Sequence, residues 1–347
     1  MKRKNIILII VALVLCSLAL YGLFLRKITE KRYDKIMCYF ITRNLVRNTS
    51  DFSTKIDVLM NFVHEDIHPF DKNHKTLDSS AIGDLIYGEN RCDGQSTVFM
   101  RLARSIGITS RLLYLRDDSG VSPHTVAEVA TPDKNWVIVD PLFNLEFRTK
   151  DGRLAGQSDI RNDLNILTGN KRIKLVSQFS ERWSDPNFLK MYYNTPTYKM
   201  TIEGIDVDFL KVIPVAVLRP IINIIQNRYF RQIQQEIKDP FEFKFVKARG
   251  FHLLGYFKKS LKLYDEIINK SNNFGLVQKT EFYKAILLKD TGQHSKALNY
   301  IDAILEKGKN ANYPSYLLGL KARIYERIGN SKEAEKIQRE AYRDLEI

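Results

Sequence analysis

Cysteine is scarce in this chain. Three residues in 347 (Cys16, Cys38 and Cys92) cannot build a disulfide scaffold or a cysteine-rich zinc cluster. No Walker-type phosphate loop, no G-x-G-x-x-G turn and no G-x-S-x-G elbow occurs. The nucleotide-binding and serine-hydrolase chemistries that those motifs encode are therefore not indicated. The net charge of +14 lacks the form that nucleic acid would need, a basic stripe with interleaved aromatics, and no nucleic-acid partner is expected. The excess sits at the two ends. Residues 1–35 hold eight basic and two acidic side chains, and residues 241–347 hold 20 and 13. With 44% hydrophobic and 27% charged residues, the composition is that of a chain that folds.

Long charge-free runs are also rare. Residues 6–25 form one, and at 1.5 Å per residue its helix would be about 30 Å long, enough to cross a bilayer core. Basic residues flank it on both sides, and its apolar character continues past the small residues Ser17 and Ala19 that a cleavage site could use. An uncleaved single-pass membrane anchor is expected, with the remainder of the chain placed outside the cytoplasm. The apolar stretch 209–225 is broken by Lys211, Pro214, Arg219 and Pro220, which makes it a buried core segment leading into a helix at Pro220.

Between these, Ile56, Leu59, Met60 and Val63 recur at helical spacing behind the candidate N-caps Asp51 and Ser53. Residues 66–90 read as loop-rich, and 98–106 as a helix ended by Gly107. Residues 111–116, 125–130 and 136–139 read as short strands bounded by Asp, Gly and Pro. Helices followed by an antiparallel sheet give an α+β class.

Three residues in this region could share one chemistry. Cys92, in Arg91-Cys92-Asp93-Gly94, stands just before a helix, where the macrodipole and unpaired N–H groups favour thiolate. His124 opens the second strand and Asp140 closes the third. A hairpin through Pro132 and Asp133 would set those strands side by side. A thiol needs a base, and the base needs a carboxylate to fix its tautomer.

The stretches GENRCDGQSTVFMRLARSIGITSRLLYL, SPHTVAEV and NWVIVDP, with the upstream helix DFSTKIDVLMNFVHEDI, resemble the transglutaminase-like superfamily over roughly residues 50–145. The resemblance implies a papain-like core with a Cys92–His124–Asp140 triad and no cofactor. The implied reaction is thiol attack on the amide of a protein or peptide, resolved by water or by an amine. The oxyanion would lean on the Cys92 N–H, with Tyr87 or Asn90 as positional candidates for a second donor. The family also contains inactive scaffolds, so a non-catalytic assembly protein with a relic triad is the rival reading.

A second motif competes. His64-Glu65-Asp66-Ile67-His68 matches H-E-x-x-H, in which two histidines bind zinc and the glutamate acts as base. Pro69 disfavours helix at His68, and a third ligand would have to come from Asp71 or His74. A zinc peptidase is the minor alternative.

The last 107 residues carry a repeat. Ala248, Ala285 and Ala322 are 37 apart, as are Gly255, Gly292 and Gly329, and Ser260, Ala297 and Ala334. Small residues mark helix crossings and glycine releases the first helix of each pair. The pattern resembles the tetratricopeptide repeat family at a longer period, which implies an α-solenoid with a face for a protein partner. The expected organisation is an anchor with its basic flank (1–35), a catalytic domain (36–150), a connecting region (151–240) and a repeat domain (241–347).

Overall fold

The computed structural model describes residues 30–68, 80–117, 119–178, 181–193, 198–200, 215–307 and 314–343. The charge-free run at 6–25 lies outside them. Among the described residues no helix is long and apolar enough to cross a membrane.

The first helical region is two helices, α1 (Glu30–Leu45) and α2 (Phe52–Asp66). Of the two candidate caps for α2, Asp51 serves, its carboxylate accepting from the Thr54 N–H at 2.7 Å. The stretch read as loop contains a third helix, α3 (Ala81–Tyr87). Ser80 caps it by accepting from the N–H of Gly83, so a glycine that reads as a loop signal lies in a capped first turn. Helix α4 (Cys92–Ser105) begins at the cysteine itself.

Five antiparallel strands follow the order β4-β3-β2-β1-β5: β1 (Ser110–Leu115), β2 (His124–Ala130), β3 (Trp136–Asp140), β4 (Leu145–Glu146) and β5 (Tyr198–Met200). The pleat sends alternate side chains to opposite faces. Ala127, Val129, Val137 and Val139 join the core made with α1 to α4. Leu113, Leu115, Val126 and Ile138 face the other way, onto Phe147, Ile160, Trp183 and Tyr192. That second cover is built from short helices α5 (Gln157–Asn162), α6 (Asn165–Thr168), α7 (Lys171–Val176), α8 (Glu181–Ser184) and α9 (Pro186–Lys190). Residues 151–193 therefore complete the sheet's core, so a domain boundary at 150 cuts through packed side chains.

Helix α10 (Val215–Ile233) returns to the first core. Ile222, Ile225 and Phe230 are buried there, and Tyr229 stacks on Tyr33 at 4.5 Å between ring centroids. The helix expected to start at Pro220 starts five residues earlier, with Pro220 inside its second turn.

The C-terminal region is three helix pairs: α11 (Pro240–Leu253) with α12 (Phe257–Lys270), α13 (Phe274–Asp290) with α14 (His294–Glu306), and α15 (Pro314–Arg327) with α16 (Ser331–Arg343). Each first helix ends in the same pair of bonds. The N–H groups of Tyr256, Gln293 and Asn330 reach back to the carbonyls of Phe251, Leu288 and Tyr325, and the preceding glycines have φ of +75°, +73° and +81°. Ala248, Ala285 and Ala322 are buried. Ala285→Leu is expected to overpack this crossing and cost about 1–3 kcal/mol, measurable as a lower urea midpoint at unchanged slope. A neutral result would place Ala285 at a gap rather than a contact.

The first helices of the pairs also dock on the sheet-bearing core. Arg249 Nη2 donates to Asp66 Oδ1 at 2.6 Å and to the Leu85 carbonyl at 2.8 Å, and its guanidinium lies 3.9 Å from the Tyr283 ring centroid. Lys279 pairs with Glu89 at 2.9 Å. The Tyr283 hydroxyl lies 2.8 and 3.0 Å from the carbonyls of Gly88 and Asp66. Gly88, at φ +73°, has no room for a Cβ, which would meet that hydroxyl at 1.6 Å.

Candidate active site

Helix α4 starts where Asn90 turns its amide oxygen onto the Arg91 N–H at 2.7 Å. The Arg91 side chain makes no cap, so it meets none of the first-turn N–H groups of α4. A Cβ on Gly94 would collide with the Asn90 side chain at 1.9 Å, which accounts for glycine two residues after the cysteine. Cys92 is half-buried. The His124 imidazole and the Thr125 N–H stand beside its sulfur, and both favour its thiolate form.

His124 and Asp140 come from adjacent strands, and the register Ala127↔Val139 slopes them together at one end of the sheet. His124 Nε2 lies 2.6 Å from Asp140 Oδ2, with both side chains buried. That bond leaves Nδ1 for the thiol. The Asp140 carboxylate is held from two further sides: the Tyr192 hydroxyl donates to Oδ2 at 2.7 Å, and the Phe143 N–H to Oδ1 at 3.3 Å. Phe143 and Tyr192 wall the imidazole, with centroids 5.2 and 6.3 Å away, and Trp183 meets Phe143 edge-on at 4.6 Å.

The electrostatics follow from this chain. Burial alone would lower the His124 pKa, but the Asp140 charge and hydrogen bond, joined by Cys92, raise it to about 9. Burial alone would raise the Cys92 thiol, yet its hydrogen bond to His124, the imidazolium charge and the Thr125 N–H bring it below its ordinary value. The arrangement favours a thiolate–imidazolium pair. Cys38 is the contrast, buried in α1 with burial pushing its thiol well up.

All three sequence candidates for thiol chemistry thus meet at one place. Tyr192 joins them without having been singled out; Met191-Tyr192-Tyr193 carries no motif that marks it. Of the positional candidates for an oxyanion donor, the Tyr87 hydroxyl is spent on Glu242, and Asn90 turns its amide oxygen onto Arg91.

The H-E-x-x-H residues are engaged otherwise. Glu65 is paired with Lys289 and, at 3.0 Å, with Arg323. His64 Nδ1 is 3.0 Å from the Leu142 carbonyl, and the His68 ring packs on Phe282 and Tyr316. Asp71 and His74 lie outside the described residues. Among the described residues no group of three ligand side chains could hold a metal ion. The motif reads as zincin because it is local in sequence, whereas the side-chain partners of Glu65 and His68 come from more than 200 residues away.

Residues 40–141 match the family model of the transglutaminase-like superfamily, a span that contains Cys92, His124 and Asp140. No curated protein and no solved structure matches the chain.

Proposed function

Taking residues 40–141 as a transglutaminase-like domain, we propose that the chain is a thiol acyl-transfer enzyme acting on amide bonds of proteins or peptides. The observation that carries this reading is the His124–Asp140 pair at 2.6 Å with Cys92 beside it, the thiol depressed and the imidazole raised. An idle relic would have no need to hold a half-buried thiol against a buried, carboxylate-tethered imidazole.

In this reading the Cys92 thiolate attacks the substrate carbonyl carbon and the carbonyl electrons move to oxygen. The resulting oxyanion is stabilised by the Cys92 N–H and the helix start. As the tetrahedral intermediate collapses, the C–N bond breaks and His124 gives its Nδ1 proton to the leaving amine, leaving a thioester on Cys92. His124, now neutral, takes a proton from an incoming water or amine, which attacks the thioester and restores the thiolate–imidazolium pair. Asp140 holds the ring with Nε2–H directed at it throughout and remains ionised. No step calls for a cofactor.

Residues 6–25 serve, in the same proposal, as the membrane anchor, with the enzyme outside the cytoplasm. The repeat-like pairs turn Arg249, Lys279, Tyr283, Lys289 and Arg323 onto residues 65–89 of their own chain. Their first partner is therefore the core itself, and a separate protein partner is assigned to the second helices.

The test is alkylation of the full chain by a thiol electrophile at pH 7, with the labelled peptide mapped. Fast modification of Cys92 is expected, slowed about 100-fold in His124→Ala. Amide hydrolysis or amine incorporation should vanish in Cys92→Ala and persist with a chelator. Chelator-sensitive activity surviving in Cys92→Ala would move the chemistry to the His64–His68 motif.

A further inference from the structure

The family match ends at residue 141, yet one donor to Asp140 is Tyr192, 52 residues after it. Tyr192 lies in the turn that follows α9, within the second cover of the sheet. That turn is fixed by its own bonds. The Tyr192 N–H reaches the Leu189 carbonyl and the Tyr193 N–H that of Lys190, each at 3.1 Å, and Arg161 Nε of α5 donates to the Tyr193 carbonyl at 2.9 Å. The ring is fully buried, with the Phe147 centroid 5.2 Å and the His124 centroid 6.3 Å away. A side chain with no exposed surface is out of a substrate's reach.

Its hydroxyl donates to Asp140 Oδ2 at 2.7 Å, the same oxygen that His124 Nε2 meets at 2.6 Å. A carboxylate oxygen has two lone pairs, so both on Oδ2 are taken. Oδ1 has the Phe143 N–H at 3.3 Å. The carboxylate therefore cannot turn without breaking a bond. Two donors on one oxygen also divide its charge: what the Tyr192 hydroxyl draws is lost to the imidazolium. The other groups around His124 leave the balance to Asp140 and Cys92. β1 sets the apolar Leu115 opposite it, α4 supplies Cys92 followed by Asp93, and Glu128 further along β2 is taken by Arg111 at 2.8 Å. Burial works against the imidazolium, and Asp140 works for it.

We propose that Tyr192 is a positioning residue of the thiol site, which fixes the Asp140 carboxylate and weakens its hold on the His124 proton. The proposal rests on the thiol reading. A general acid must release its proton to the leaving amine, and a ring bound too tightly by its carboxylate is a poor donor. Tyr192 keeps the pair short of that state. The catalytic unit then extends through residue 192, and the short helices α5 to α9 belong to it.

The test is Tyr192→Phe in the full chain, with alkylation of Cys92 and acyl transfer followed against pH beside the wild type. Phenylalanine keeps the ring and removes the hydroxyl alone. The maximal rate of acyl transfer is expected to fall about 10-fold at unchanged KM. Its alkaline limit should rise, and the acid limit of alkylation should fall, each by about half a pH unit. Phe147→Leu loosens the packing beside the ring and keeps the hydroxyl, so its urea midpoint should drop while both limits stay. Fast wild-type alkylation with unmoved limits in Tyr192→Phe, or limits that move equally in Phe147→Leu, would overturn this proposal alone. Slow wild-type alkylation with the midpoint of an ordinary thiol would overturn the thiol reading and this proposal with it.

Discussion

Asp140→Asn is expected to leave the protein folded and to slow acyl transfer about 10⁴-fold. The residue accepts three hydrogen bonds in the wild type, from His124, Tyr192 and the Phe143 N–H. The amide is isosteric, so the packing survives. What changes is the charge that raises His124 to about 9 against burial. Without it burial prevails, the imidazole loses its proton at neutral pH, and the thiol loses the imidazolium that held it down. An amide NH₂ facing Nε2 would also invert the tautomer and put the ring N–H on the thiol side. The sign of the pH dependence follows. In the wild type the thiolate–imidazolium pair persists from the depressed thiol pKa up to about 9, and acylation declines above that as His124 loses the proton owed to the leaving group. The alkylation profile of Asp140→Asn should shift upward, toward an ordinary thiol near 8.5. Wild-type rates and an unshifted profile in this variant would exclude Asp140 from the site.

The second large effect is on stability. Arg249→Met is expected to destabilise the protein by about 3–5 kcal/mol, since it strands a buried carboxylate. Arg249 is fully buried, with Asp66 and the Leu85 carbonyl as acceptors and the Tyr283 ring beneath it. Methionine fills much of the space but leaves Asp66 uncompensated. Replacing both charges, in Arg249→Met with Asp66→Leu, should recover a large part of the loss, because an apolar pair avoids the desolvation cost. Urea denaturation of the two single variants and the double variant gives the coupling directly. Strictly additive losses would mean that the two charges do not act as a pair.

Features whose causes are local were legible in the sequence. Asp51 caps α2 because its carboxylate needs only the N–H three residues on. The strands carrying His124 and Asp140 follow from alternating β-branched runs and a Pro-Asp turn, and the 37-residue step of Ala and Gly locates the three helix pairs. Features whose causes lie elsewhere in the chain were not legible. Tyr192 reaches Asp140 across 52 residues from a segment with no periodicity. Glu65 and His68 match a metal motif by spacing alone, and only Lys289, Arg323, Phe282 and Tyr316 show how they are occupied. Pro220 reads as a helix start by its chemistry, yet α10 starts ahead of it.

The docking of α11, α13 and α15 onto residues 65–89 has a consequence for synthesis. Its contacts join residues 164 to 258 positions apart, from Arg249–Leu85 to Arg323–Glu65. Between making Asp140 and reaching Tyr283, 143 residues on, a ribosome adding roughly 5–20 residues per second takes about 7–29 s. Through that interval a nascent chain already carries the thiol, the imidazole and the carboxylate, but the loop leading into Cys92 has nothing to seat it. The turn into Cys92 would then be seated only when the last third of the polypeptide arrives, so the C-terminal helices separate the making of Cys92, His124 and Asp140 from the moment that turn is held.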